Sequence, residues 1–396
     1  MKGTAQPPRS AGAGQGIVVV LAGFLPILAI VCLSPVVPRM VEHFASVPGA
    51  TTLVPLAVTA PGLMIALFSP LMGWLADRYG RRPLLLIATL FYGLVGMAPY
   101  WLESLPLIFA SRLALGLCEA AILTVTNTLI GDYYPHDKRR TWLMLQAAAG
   151  PVFGVSLLMF SGHLAAQDWH LSFLIYGVAV PIFLAMLAFI FEPSLVRETI
   201  AKASPFPLRS VVITGGVTLF SASLYYVYIV QVGLAFSAIG VTAPDRVGML
   251  IGLANIGVFI GGIAFQPLSA RLSPMWQIAI FLVLLGIGMA GIGIAHTEST
   301  MTIFACVQQL GAGILIPALV LWAMQGLPAE HRGRGMGVWS ACFFLGQFTS
   351  PLFVSVGTAA TGNIQNAFSL LGLIALLGAV TAAVRANIPM KRASIA

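Results

Sequence analysis

Charge is scarce in this chain. Across 396 residues only 8% are Asp, Glu, Lys or Arg, and just 12 residues are acidic. An ordinary soluble domain carries about a quarter, so a water-soluble fold is excluded. Disorder is excluded by the opposite count, because 59% of the residues are hydrophobic and a solvated coil could not expose so much apolar surface. Cysteine is nearly absent. Cys32, Cys118, Cys306 and Cys342 lie far apart in apolar runs, which gives neither a disulfide framework nor metal-ligand spacing. The phosphate-cradling P-loop signature is missing, and so is any ATPase domain, which leaves a gradient as the energy source. No catalytic triad can be assembled, so the chain is not expected to be an enzyme. His163, Asp168 and His170 share one short stretch, which solvation explains better than a metal.

What the chain does have is long apolar runs. A spanning helix needs about 20 mainly apolar residues, and backbone in contact with lipid must be helical or closed into a barrel. The runs are continuous rather than alternating, which predicts helices. Twelve are expected, at 16–38, 52–76, 84–103, 106–131, 141–164, 169–191, 209–235, 246–268, 276–296, 299–325, 335–358 and 363–386. With the N-terminus inside, 17 of the 20 Lys and Arg fall in inside segments, Arg39 and Arg246 fall outside, and Arg112 lies within a span. That asymmetry predicts cytoplasmic N- and C-termini in a multi-pass protein of the inner (plasma) membrane. Lys2 and Arg9 before the first run resemble a signal peptide, but eleven further runs argue for a retained helix. The net charge of +8 is scattered in small clusters, which fits lipid and topology and no nucleic-acid partner.

The chain also repeats itself. Leu75, Arg78, Pro135 and Arg139 recur 193 residues later as Leu268, Arg271, Pro328 and Arg332. The longest polar stretch, EPSLVRETIAKASPFPLRS at 192–210, is rich in Pro and Ser and reads as a linker. The expected fold is therefore all-α and integral to the membrane, with 12 transmembrane helices in two pseudo-symmetric six-helix bundles. Residues 1–191 form the first bundle, 192–208 a cytoplasmic linker and 209–396 the second. Two such halves rocking about a central site describe a secondary transporter.

Scarce charge is concentrated in GWLADRYGRRP, residues 73–83, the cytoplasmic link between the second and third runs. Tyr79-Gly80 are expected to make the turn and Pro83 to start the next helix. Asp77, at a helix C-terminus, is disfavoured by the dipole and needs an offsetting partner. Gly73, Leu75, Asp77, Arg78, Gly80, Arg81 and Arg82 closely resemble the loop signature of the major facilitator superfamily. The resemblance implies a cytoplasmic gate, in which the acid and arginines pin the halves together while the transporter is open outward. The second half keeps only QPLSARLSPMW (266–276), with Arg271 retained and Ala270 in place of the acid.

The fourth run, SRLALGLCEAAILTVTNTLIGDYYP (111–135), buries Arg112 and Glu119 at hydrocarbon depth, each costing at least about 2.5 kcal/mol if left facing lipid. Seven residues make two turns, about 10.5 Å along one face. Arg112, Gly116, Glu119 and Thr126 thus form a polar stripe expected to face the interior, with Gly116 permitting close approach. Arg112, Gly116 and Ala120 resemble the superfamily's fourth-helix motif, which implies proton coupling. Glu119 stands where that motif has a small residue, and it is expected to carry the proton, tuned by Arg112. Gly150, Pro151 and Gly154 resemble the fifth-helix motif of proton-linked exporters, with Val155 departing from it. The proline is expected to bend the helix and the glycines to permit tight packing.

The second half offers polarity without charge: Tyr225, Tyr226, Tyr228 and Gln231, then Asn255, Gln308, Gln309 and Gln347. These are substrate-cavity candidates and suit an amphipathic or uncharged organic solute. Gly257 and Gly261 read as helix packing. Together the resemblances imply proton-coupled export of a small organic compound. An uptake symporter, or a non-transporting sensor with the same fold, are the alternatives. No cofactor is implied beyond the proton gradient. The expected partners are the organic solute, protons and the bilayer, and the protein is expected to be a monomer.

Overall fold

The computed structural model describes residues 11–193, 205–328 and 331–387. Among them the chain is helical, with no strand. Eleven helices are long and apolar enough to cross a bilayer. They are span 1 (Ala13–Val31), span 2 (Ala50–Tyr79), span 3 (Arg81–Tyr100), span 4 (Leu105–Tyr133), span 6 (Trp169–Phe189), span 7 (Leu208–Ala238), span 8 (Pro244–Arg271), span 9 (Pro274–Ile294), span 10 (Glu298–Gln325), span 11 (Arg332–Thr361) and span 12 (Ile364–Asn387). Span 5, His136–Gln167, completes twelve. Most of the expected linker, 194–204, lies outside the described residues.

Several spans depart from unbroken rods. The first was expected to run to residue 38, but its helix stops at Val31 and resumes as Val37–His43. Pro35 and Pro38 lack the amide hydrogens that a continuing ladder requires. Span 8 breaks at Asn255, between Pro244–Ala254 and Ile256–Arg271. There the side-chain amide donates to the Ile251 carbonyl, 3.0 Å away, in competition with the backbone. Span 6 opens as a 3-10 helix, Trp169–Val178, before becoming α-helical. The internal repeat survives as structure: spans 2 and 8 end at Tyr79 and Arg271, and spans 5 and 11 begin just after Pro135 and Pro328.

Within the second bundle, helices approach through small residues. A Cβ added at Gly286 would lie 2.8 Å from the Gly372 carbonyl, joining spans 9 and 12. Gly257 and Gly261 press on the span 10 backbone at Cys306 and Leu310, so this pair is packing, as its spacing predicts. Large apolar side chains such as Leu67, Phe91, Val356 and Leu377 point outward. In a bilayer that surface meets acyl chains.

Among the described residues, the close contacts between the two bundles cluster from mid-span toward one end. Thr52 of span 2 donates to Ser355 of span 11 at 3.0 Å, and Thr59 reaches the Phe348 carbonyl at 3.5 Å. Gly162 of span 5 and Gly248 of span 8 meet so closely that a Cβ on either would lie 3.3 Å from the other's Cα. Gly233 of span 7 packs on the Ser34 carbonyl. All these contacts lie in the half of each helix remote from the arginine-rich face. Among the described residues, the bundles are joined toward the remote face.

Candidate functional site

The 73–83 loop is held by its own bundle. Gly80 has φ +100°, which L side chains rarely adopt, and this turn lets span 3 begin at Arg81 rather than at Pro83. The Glu192 carboxylate accepts from the backbone N–H groups of Arg81 and Arg82 at 2.7 and 2.8 Å, an anion at a helix N-terminus. Arg82 also donates to the Ile190 carbonyl at 2.7 Å. Arg81 forms an ion pair with Asp132 of span 4 and approaches Asp77 at 4.0 Å. Arg78 lies over the Trp74 and Tyr79 rings, 5.3 and 5.7 Å from their centroids. Gly73 faces Thr124 at an ordinary 3.7 Å. The Asp77 side chain is 66% exposed. Every described partner of this loop belongs to the first bundle.

In span 4 both buried charges point inward, each 1% exposed. Arg112 donates to the Val95 and Gly96 carbonyls at 3.3 and 2.9 Å, which are among the last acceptors of span 3 and at its negative dipole end. Its guanidinium also lies 5.2 Å from the Phe173 ring centroid and 5.0 Å from that of Tyr176, so aromatic faces share the charge. Arg112 is thereby fixed where spans 3, 4 and 6 meet. Among the described residues no ion pair joins it to Glu119. The Glu119 Oε1 is buried without a hydrogen-bond partner. Gly116 lets span 4 close on span 2, where a Cβ would lie 2.6 Å from Pro61. Thr126 turns its hydroxyl back to the Ile122 carbonyl at 2.7 Å.

The expectation that span 5 packs tightly at its glycines needs correction. A Cβ on Gly150 would find only Phe24 at 3.8 Å, and one on Gly154 would meet nothing within 4 Å. The tight contact comes two turns later at Gly162. The Pro151 side chain lies outside the described residues.

The second-half candidates fall into separate groups. Asn255 and Gln309 hydrogen-bond to each other across spans 8 and 10, which makes that pair an internal tie. Gln347 sets its amide 3.1 Å from a notional Cβ on Gly62 of span 2, at the seam between bundles. Tyr228, Gln231 and Gln308 are buried, with the Tyr228 hydroxyl, the Gln231 Oε1 and both Gln308 amide atoms unpartnered. Tyr225 stacks edge-on to Tyr226 at 4.9 Å, Tyr226 meets Phe343 at 5.6 Å, and Phe343 stacks on Trp339 at 5.4 Å. The span 11 members of this aromatic group went unread in the sequence, although Trp339 and Phe343 are four apart and share a helix face.

A twelve-helix fold in two bundles, joined toward one face around buried polar side chains, defines a carrier. The Major Facilitator Superfamily profile matches residues 19–244 and again 210–394, and the chain belongs to that family. It is 25% identical over 213 residues to the class H tetracycline resistance protein of Pasteurella multocida, covering 53% of this chain and 52% of that protein. It is 26% identical over 368 residues to the class C tetracycline resistance protein of Escherichia coli, covering 87% and 88%. The inward-open structure of the xylose transporter XylE from E. coli superposes with a TM-score of 0.71 at 15% identity, over 95% of this chain and 96% of that one. The protein is a multi-pass membrane transporter of this superfamily.

Proposed function

We propose that the protein exports a small organic solute from the cytoplasm in exchange for protons, by alternating access, with Glu119 as the proton carrier. The observation that carries the reading is Glu119 itself, an acid sealed at 1% exposure with an unpartnered oxygen and no salt bridge among the described residues. A buried carboxylate is costly to seal as an anion, so on this reading proton exchange at Glu119 requires a further opening that admits water to it. Arg112, which donates through one Nη to span 3 carbonyls, positions the corner around it. The similarity to tetracycline resistance proteins supports export. The arginine-rich face is taken as cytoplasmic, with both termini on that side of the inner membrane and the chain a monomer. On that orientation the structure is the cytoplasm-open state, and Asp77 stands exposed because its gating contacts belong to the opposite state.

The test uses inverted membrane vesicles with an imposed pH gradient and an organic compound chosen beforehand by thermal stabilisation of the purified protein. An exporter accumulates the compound as protons leave the vesicle, whereas a symporter does not. Glu119→Gln should still bind and equilibrate the compound while losing gradient-driven accumulation. Wild-type accumulation and pH dependence in that variant would remove the proton role.

A further inference from the structure

A second cavity, of about 500 Å³, lies apart from the seam, among the arginine-rich ends of spans 7, 9, 10 and 12. Its wall is apolar: Val217 and Phe220 from span 7, Ile278 and Leu282 from span 9. Its mouth is polar, with Gln325 and Arg385. Gly378 makes room for it, since a Cβ there would lie 2.9 Å from the Phe220 ring. An apolar slot topped by a cation has the shape and polarity of an acyl chain under a charged headgroup.

The surrounding charge fixes the sign of that headgroup. On this face the second bundle presents Arg209, Arg271, Arg332, Arg334 and Arg385. The only carboxylates among its described residues, Asp245 and Glu298, lie at the opposite face, where Glu298 pairs with Arg246 at 2.7 Å. The first bundle differs, because its arginines on this face sit beside Asp77, Asp132 and Glu192. A rim this rich in arginine attracts anionic lipid. Arg385 is exposed, has no ion pair among the described residues, and is the one of the five that lines the cavity.

We infer that this cavity is a binding site for an anionic phospholipid, with the phosphate at Arg385 and one acyl chain between spans 7, 9 and 12. Spans 7 and 10 also carry Tyr226 and Gln309, so the lipid sits against two helices that reach the central seam. Placing it in the inner leaflet rests on the orientation proposed above, but binding in detergent does not, so the two readings can fail separately.

The experiment is native mass spectrometry and thermal unfolding of the purified full chain in neutral detergent, with phosphatidylglycerol or phosphatidylcholine added. Phosphatidylglycerol should be retained preferentially and raise the unfolding midpoint by roughly 2 °C or more. Arg385→Gln, a surface change that leaves folding intact, should cut retention about ten-fold, a loss of about 1.4 kcal/mol. Gly378→Leu, which fills the slot, should do the same, while Arg209→Gln on the same rim but outside the cavity should change little. Equal retention of the two lipids would overturn the site. So would an equal effect of Arg209→Gln, or equal stabilisation by soluble glycerol phosphate.

Discussion

The two bundles share a fold but differ in the polarity they bury deep in their spans, charged in the first and uncharged amides and hydroxyls in the second. In the first, Arg112 spends its charge on the Val95 and Gly96 carbonyls and on two aromatic faces. In the second, Tyr228, Gln231 and Gln308 bring uncharged groups into the interior and leave them unpartnered. A buried polar group with partners stabilises a structure, whereas one without costs stability and persists where something else uses it. On this contrast the first bundle holds a fixed electrostatic frame around one free acid, and the second holds loose hydrogen-bonding capacity suited to a solute. In the first bundle the Glu119 Oε1 is unpartnered too, as are one Arg112 Nη and the Ser34 and Thr89 hydroxyls, and of these groups Glu119 is the acid.

Substituting the partnered arginine is the strongest way to break the comparison. Arg112→Gln should destabilise the protein by about 2–3 kcal/mol, because the last carbonyls of span 3 lose a charged donor in a dry setting. Arg112→Lys should recover only part, since a point charge cannot replace the planar fork. Thermal unfolding in detergent measures both. A loss no larger than that of an average surface substitution would mean that Arg112 is not structural.

Next in size is the contact that holds the bundles together. Gly162→Leu or Gly248→Leu places a side chain against backbone, since the Cβ alone would lie 2.7 Å from the Pro244 carbonyl or 2.9 Å from that of Leu158. Overpacking of this kind costs about 1–3 kcal/mol, enough to shift a two-state balance roughly 5- to 150-fold. Spin labels at Thr52 and Ser355, 3.0 Å apart at their hydroxyls in this structure, should report a longer distance in either variant. Changing Gly154, which faces open space, should leave it unaltered.

These tests also mark what was legible in the sequence. Span number, the repeat and the charge asymmetry depend on composition along the line of the chain, so they were readable. Glu119 and Arg112 stood out because hydrocarbon makes any charge conspicuous. Their separate roles did not, because Arg112's acceptors, Val95 and Gly96, are backbone atoms that every residue carries. The Arg81–Asp132 pair and the Glu192 cap were hidden for a related reason: they join residues over 50 positions apart. The breaks at Val31 and Asn255 were masked by uninterrupted apolarity, although Pro35 and Pro38 signalled the first. The packing assigned to Gly150 and Gly154 failed because a glycine only permits approach and does not say whether a neighbour is there.

A smaller effect sharpens the contrast from the second bundle. Gln308 is fully buried, and neither amide atom has a partner. Gln308→Leu should therefore be neutral or stabilise by up to about 1 kcal/mol, the reverse of a typical core substitution. If the amide serves a solute, the same variant should weaken ligand-induced thermal stabilisation. A clear loss of intrinsic stability would show that Gln308 has a structural partner and would erase the distinction between the bundles.

The smallest effect lies at the remote face, where the bundles again differ. The second has the simple Arg246–Glu298 pair. The first gathers His43, Glu103, Asp168 and His170 from three segments at helix ends, with Glu103 facing both histidines at 3.1 and 3.4 Å. Asp168 accepts from the His170 backbone N–H at 2.9 Å and meets its ring at 2.8 Å. Partial burial works against the Asp168 carboxylate, but the backbone and ring of His170 outweigh it and hold its pKa below the ordinary value. A lowered acid stabilises fully above its unfolded pKa and loses that contribution as pH falls through the folded one. Asp168→Asn should therefore lower the unfolding midpoint slightly at about pH 5.5 and converge with wild type towards about pH 3. The side chain is 53% exposed, so the difference should stay under about 1 kcal/mol. A gap that widened on acidification would reverse the sign and remove the carboxylate as its source.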